Sequence, residues 1–235
     1  MISISQRRNI ITVYRGNWKY IVREVSVILA KANQALSTLE KYRSVFQQSL
    51  VNLSALEFED LVTLTDVTTV LQRSQMVSRI AGEIERYVVQ LGSEGRLVRM
   101  QLEELMAEIK DEGLLVFKDY FVGSNLGEVW NQLEEWDSDD LLNLGSISKA
   151  LGFGSSMTSL EQAVAPRGYR ILAKIPRLPM PVIENLVKSF EDLSTVMDAT
   201  IEELDEVEGI GEVRAKAIKD GLRRLREQVL VDSHV

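Results

Sequence analysis

The 235-residue chain contains no cysteine, one histidine, four prolines and no long uninterrupted apolar run. Without cysteine there is no disulfide framework, no thiol nucleophile and no thiolate-ligated zinc or iron–sulfur centre. The histidine is His234, next to last in the sequence, so a histidine-based triad and a multi-histidine metal site are both excluded. No apolar stretch approaches the ~18–20 residues needed to cross a bilayer. The opening MISISQRRNI lacks the organisation of a signal peptide. A cytoplasmic protein with no membrane association is expected. Hydrophobic residues make up 45% of the chain, enough for a packed core, and the length suits one large domain or two small ones.

Positive charge is also short, with 27 Lys and Arg against 35 Asp and Glu for a net of −8. It is unevenly spread. Residues 1–56 carry 8 basic and 2 acidic side chains, residues 57–140 carry 7 and 19, and residues 141–235 carry 12 and 14. An acidic chain is a poor general binder of polyanions, so any contact with nucleic acid must be local.

The first 22 residues pattern as β. Ile2 and Ile4 alternate with Ser3 and Ser5, and Ile10, Ile11, Val13 and Tyr14 form a β-branched and aromatic run. Arg15-Gly16-Asn17 reads as a turn before a last short strand over 18–22. From Glu24 the period becomes helical: Val25, Leu29, Ala32, Leu36, Leu39, Phe46, Leu50 and Leu53 predict a long amphipathic helix to about residue 56. Thr65-Asp66 offers a cap for a second long helix over 67–91, a glycine-flanked break follows at 92–95, and a third helix is expected over 96–109. Gly113 opens a looser stretch, with short helical pieces over 126–136, 139–144 and 146–151. Gly152-Phe153-Gly154-Ser155-Ser156 reads as a flexible connector. The acidic cluster Glu134, Glu135, Asp137, Asp139 and Asp140 could hold Mg²⁺. With no Lys, His or glycine-rich phosphate loop beside it, it reads better as a solvated loop rich in helix caps.

The C-terminal quarter repeats on itself with a period of 32 residues. Ile175 pairs with Val207, Leu178 with Ile210, Ile183 with Ala215 and Leu186 with Ile218. Each half has an apolar turn followed by a helix, with short helices between, which defines two helix–hairpin–helix units in tandem. In the second, Val207-Glu208-Gly209-Ile210-Gly211 places glycines where the chain turns and where a ligand can approach the backbone without meeting a Cβ. Ile210 plugs the turn into the core. The helix that follows offers unpaired N–H groups and the positive end of its dipole, a ready phosphate site. Arg214, Lys216, Lys219, Arg223, Arg224 and Arg226 follow, opposed only by Glu212 and Asp220. In the first unit Pro179 and Met180 stand where glycines are expected, with only Lys174 and Arg177 nearby. That unit reads as having kept its packing and lost its phosphate contact. The fold class expected is mainly α: a helical bundle linker over 23–151, a tandem helix–hairpin–helix DNA-binding domain over 152–235, and a small β remnant over 1–22. A compact helical unit or protein interface is the competing reading of the repeat.

Several stretches together resemble one bacterial family, the DNA-integrity scanning diadenylate cyclases. They are LLNLGSISKALGF, APRGYRILAKIPRLP, VIENLVKSF and LDEVEGIGEVRAKAIKDGL in the C-terminal part, and AKANQALSTLEKYRSVF, LEFEDLVTLTDV and LGSEGRLVRMQLEEL in the middle. The resemblance implies a cyclase domain that condenses two ATP into cyclic di-AMP with Mg or Mn, homo-oligomers joined through that domain, and scanning of DNA with a response to branched junctions. The family's hallmark Asp-Gly-Ala and Arg-His-Arg motifs do not occur in this chain. SISQRRNIITVYRG resembles the last strands of the cyclase domain, and Ser5 falls on a family serine near the nucleotide phosphates, here without its partners. The expectation is a truncated member with no catalytic residues and no cofactor of its own, bound to DNA near the nucleoid. The DNA-binding residues expected are Gly209, Ile210, Gly211, Arg214, Lys216, Lys219, Arg223 and Arg224. Two rivals stand beside this reading: a competent cyclase, which lacks its chemistry here, and a helical oligomerisation or regulatory interaction module.

Overall fold

The computed structural model describes residues 4–107, 109 and 111–232, with side chains described from Val22 to Val231 apart from those at 108, 110 and 138. It is built from helices: α1 (Ile4–Glu59), α2 (Leu64–Leu91), a 3₁₀ turn (Gly92–Gly95), α3 (Arg96–Met106), α4 (Glu112–Tyr120), α5 (Leu126–Glu135), α6 (Ser138–Leu142) and α7 (Leu144–Ala150). The C-terminal part continues with α8 (Met157–Leu160), α9 (Tyr169–Ala173), α10 (Met180–Phe190), α11 (Leu193–Asp198), α12 (Ile201–Asp205) and α13 (Glu212–Asp232).

The strands expected over 1–22 are corrected. From Ile4 the backbone is the start of α1, and the described residues hold no strand beyond a bridge between Thr63 and Ala163. A strand needs a neighbour for its edge hydrogen bonds, whereas a helix closes each N–H on its own chain. The helical cost of each β-branched residue is below about 1 kcal/mol. Ser5 lies in α1 at a position whose side chain is outside the described ones, and Met1 to Ser3 and His234 lie outside the described residues.

Two compact units divide the chain. One comprises residues 1–41 and 79–108, the other residues 42–78 and 109–235. In the first, the periodic positions Ala32, Leu36 and Leu39 of α1 are buried, as are Ala81, Ile84, Val88 and Leu91 of α2 and Val98 and Leu102 of α3. Of the apolar stripe read from the sequence, Ala32, Leu36 and Leu39 are core here, while Val25 and Leu29 are half-buried.

The second unit carries the repeat. α2 opens at Leu64, earlier than the expected residue 67, and Asp66 of the expected cap signal serves its start by accepting from the backbone N–H and the hydroxyl of Thr63 at 2.9 and 2.5 Å. α4 forms where a looser stretch was expected. Its Gly113 is no helix break; a Cβ there would lie 1.9 Å from the Ser74 hydroxyl, so the glycine admits close packing on α2. The carboxylates of the acidic cluster act locally, with Asp137 accepting from the N–H of Asp140 at 2.9 Å to open α6. The connector at 152–156 is tied down, since Phe153 N–H donates to Ser148 O at 3.0 Å, Ser148 Oγ donates to Gly154 O at 2.5 Å, and Ser156 caps α8.

Candidate nucleic-acid interface

The 32-residue register holds in three dimensions. Ile175, Leu178, Ile183 and Leu186 and their counterparts Val207, Ile210, Ala215 and Ile218 are all buried in one core with Leu172, Leu204, Leu193 and Phe58. The turns match bond for bond. Ile175 N–H donates to Leu172 O at 3.0 Å and Leu178 N–H to Ile175 O at 3.3 Å; Val207 N–H donates to Leu204 O at 3.2 Å and Ile210 N–H to Val207 O at 3.0 Å. Ile210 is the plug expected of it.

The two glycines of the second turn differ in what they do. Gly209 takes φ 84°, left-handed backbone that favours glycine, and a Cβ on it would lie 3.3 Å from Val182. Gly211 has no such constraint: a Cβ there would meet nothing nearer than an Asp205 carboxylate oxygen at 4.0 Å. Its bare backbone faces outward. Gly211 O accepts the first helical bond, from Ala215 N–H at 2.9 Å, which makes it the N-cap of α13. The N–H groups of Glu212, Val213 and Arg214 then donate to no acceptor among the described residues, as the first turn of a helix requires. Three donors and a dipole end, with no Cβ at Gly211, suit an anion.

The sequence-predicted cations have distinct placements. Arg214 donates to Gly209 O and so braces the turn. Lys216 pairs with Glu212 at 2.5 Å, and both are exposed. Its hydrogen bond holds the Glu212 carboxyl below the ordinary carboxylate range and raises the Lys216 ammonium. Lys219 donates to Met197 O at 2.5 Å and Ala199 O at 2.8 Å, closing the last turn of α11. Arg223 pairs with Asp220 at 2.9 Å. Arg224 is exposed and lines a cleft of about 640 Å³ that α13 forms with the first hairpin's turn. α12, which enters the turn, is fixed by a capping box in which Thr200 and Glu203 exchange hydrogen bonds of 2.7 and 3.2 Å.

The register corrects the reading of the first hairpin. Gly211 corresponds to Pro179, one of the two positions read from the sequence, whereas Gly209 corresponds to Arg177 and not to Met180, three residues further on. Arg177 adopts φ 63°, the left-handed turn with a side chain on it.

Sequence reasoning missed the polar cluster that mounts this repeat. Asp119 of α4 accepts the N–H groups of Gly168, Tyr169 and Arg170 at 2.8, 2.6 and 3.1 Å and so caps α9. Arg170, fully buried, donates to Ser54 Oγ at 2.9 Å and to the Glu57 carboxylate, which also accepts from Tyr120 OH at 2.9 Å. Among the described residues no three of His, Asp or Glu come together to hold a metal ion, and the sequence lacks both cyclase motifs. No helix of the described residues is long and apolar enough to cross a membrane.

Fold and site together define a helix–hairpin–helix protein carried on long helices. The family profile described as the DisA bacterial checkpoint controller linker region matches residues 22–160, and that described as the helix-hairpin-helix motif matches residues 192–221. The chain is 58% identical over 234 residues to the DNA integrity scanning protein DisA of Carboxydothermus hydrogenoformans, covering 97% of this chain and 66% of that protein. It is 52% identical to proteins of the same name from Clostridium kluyveri, over 99% of this chain and 66% of that one, and Acetivibrio thermocellus, over 99% and 65%. The chain belongs to the DisA family, and it spans about two thirds of the length of these relatives.

Proposed function

We propose that the chain is the DNA-sensing part of a DisA-type protein, holding the phosphodiester backbone without reading base sequence and preferring branched DNA. The observation that carries this reading is the trio of unpaired N–H groups opening α13 beside Gly211, whose missing side chain serves no internal packing. Phosphate contact through backbone donors carries no base information, and it lets an acidic chain grip a polyanion at one point. In this reading Gly211 and the N–H groups after it take the phosphate, while Gly209, Ile210 and Arg214 shape the turn. Lys216, Arg223 and Arg224 add charge along α13, and Lys219 fixes α13 to α11. Residues 152–235 form the DNA-binding domain and residues 23–151 the linker, in a cytoplasmic protein working on the nucleoid. Homo-oligomers and the synthesis of cyclic di-AMP, which the resemblance implies for whole family members, are assigned to no residue of this chain.

Binding of the whole chain to fluorescent duplexes of unrelated sequence and to a four-way junction, from 50 to 200 mM salt, tests the reading. Equal affinity across sequences, tighter binding of the junction and a linear fall of log K with log salt are expected. Absence of binding at 50 mM salt, with self-association instead, would favour the interaction module.

A further inference from the structure

The first hairpin carries an arginine where the second carries a glycine, in the same left-handed turn: Arg177 at φ 63° against Gly209 at φ 84°. Such backbone is sterically costly for any residue with a Cβ, and a glycine would relieve it. Asp60, at φ 60°, follows the end of α1, where a left-handed residue is ordinary helix punctuation, and Glu191 closes α10 in a different conformation, at φ 65° and ψ −46°. Arg177 closes no helix, since α9 has ended at Ala173. Its side chain is exposed and has no hydrogen bond or ion pair among the described residues. The turn sets the backbone here as it does at Gly209, but no internal contact accounts for an arginine at the position.

What Arg177 faces does. Two adjoining clefts of about 510 and 640 Å³ run between the first turn and α13, sharing Ile175, Pro176, Arg177 and Ala217. They extend along α13 from Gly211 to Leu225, about 20 Å at 1.5 Å per residue. Lys174 and Arg177 line the wall of the first turn, and Arg214 and Arg224 line that of α13. The two carboxylates at the rim are both neutralised, Glu212 by Lys216 and Asp220 by Arg223. Gly221 keeps the floor low, since a Cβ on it would press on Ile175 at 3.1 Å. In a chain of net charge −8, this is a locally cationic groove leading away from the α13 N-terminus.

We propose that this groove is a second phosphate site, in which the side chains of Lys174, Arg177 and Arg224 hold the DNA strand whose neighbouring phosphate sits on the backbone at Gly211. The first hairpin keeps its contact with DNA by exchanging a backbone contact for a side-chain one. The inference rests on the DNA-binding reading above, and its test separates the two.

Arg177→Gly removes the cation and relieves the turn, so the variant folds at least as well as the parent and melts at the same or a higher temperature. Its affinity for duplex and junction falls, and its salt slope drops by about one contact. Between 50 and 200 mM salt the parent then loses roughly threefold more affinity than the variant. Gly211→Ser serves as the second-hairpin control, and AMP as the small-anion probe. If Gly211→Ser weakens DNA binding while Arg177→Gly leaves affinity and salt slope at parental values, the groove proposal falls and the DNA reading stands. If the parent binds no DNA at 50 mM salt, both fall. If Arg177→Gly weakens AMP binding but not DNA binding, the groove is a small-anion site and the proposal is overturned.

Discussion

Arg170 and Glu57, 113 residues apart, form an ion pair in which neither side chain retains any exposure to solvent. The pair joins α9, the first helix of the tandem repeat, to the C-terminal end of α1. Ser54 and Tyr120 add a hydrogen bond each, while Arg170 Nε and Nη1 find no acceptor among the described residues, Glu112 lying 3.8 Å from Nη1. Burial pulls the Arg170 guanidinium down, but Glu57, Glu112 and Asp119 more than offset this and raise it. The pair fixes how the repeat is mounted within its unit.

Breaking one partner should therefore cost far more than removing both. Arg170→Met leaves the Glu57 carboxylate buried and uncompensated, a loss of about 3–5 kcal/mol. Arg170→Met with Glu57→Leu replaces the pair by apolar groups and should recover most of that loss. Urea unfolding of the parent, both single variants and the double variant measures the coupling. Additive effects would show that the two side chains act independently.

The same cluster sets a pH dependence. Burial, reinforced by the nearby Glu57 carboxylate, pushes Asp119 up to about 7 against the ordinary 3.8, despite the three N–H groups it accepts and the charge of Arg170. Glu57 is raised too, chiefly by burial. Between these values the folded protein holds a proton on Asp119 that the unfolded chain has released. Stability from this group is therefore complete below pH 4 and is lost as pH rises towards 7, with a slope of up to about 1.4 kcal/mol per pH unit. Asp119→Asn should flatten the pH 4–7 limb of a thermal-melting series. An unchanged limb would place the titration elsewhere.

The repeat was legible in the sequence because its two halves are compared with each other, and four apolar pairs at one spacing leave little freedom of register. The Arg170 cluster was not legible. Its members come from α1, α4 and α9, and a lone Ser, Glu or Asp inside a helix carries no local sign of burial. Gly113 misled for a related reason: it reads as a break, yet its role is to admit Ser74. The β reading of 1–22 rested on β-branched residues whose preference is weak beside the need to close backbone hydrogen bonds. In the first hairpin one glycine position, Pro179, was placed correctly, but the other was put at Met180 instead of Arg177, which hid the left-handed turn.

Catalysis gives a prediction from the sequence itself. The chain has neither Asp-Gly-Ala nor Arg-His-Arg, and its described residues bring no metal-binding carboxylate group together. Incubated with ATP and Mg²⁺ or Mn²⁺, the purified chain should form no cyclic di-AMP. Product that co-purifies with the chain through successive columns would show a nucleotide site built from other residues.

The two glycines of the second hairpin should separate folding from binding. Gly209→Ala places a Cβ on left-handed backbone 3.3 Å from Val182 and should cost about 1–2 kcal/mol of stability. The fraction that folds should still bind DNA. Gly211→Ser meets open space within the protein and keeps a good N-cap residue, so its melting temperature should match the parent's or exceed it. Its side chain stands where a phosphate would approach the N–H groups of Glu212, Val213 and Arg214. A hydrogen bond to a charged group contributes about 1.5–3 kcal/mol, so displacing one should weaken binding by about tenfold or more. Because the contact is to backbone phosphate, the loss should be equal for duplexes of unrelated sequence. Circular dichroism confirms folding, and anisotropy titrations of two duplexes and a four-way junction read the affinity. Parental affinity in a folded Gly211→Ser protein would remove the α13 N-terminus from the interface.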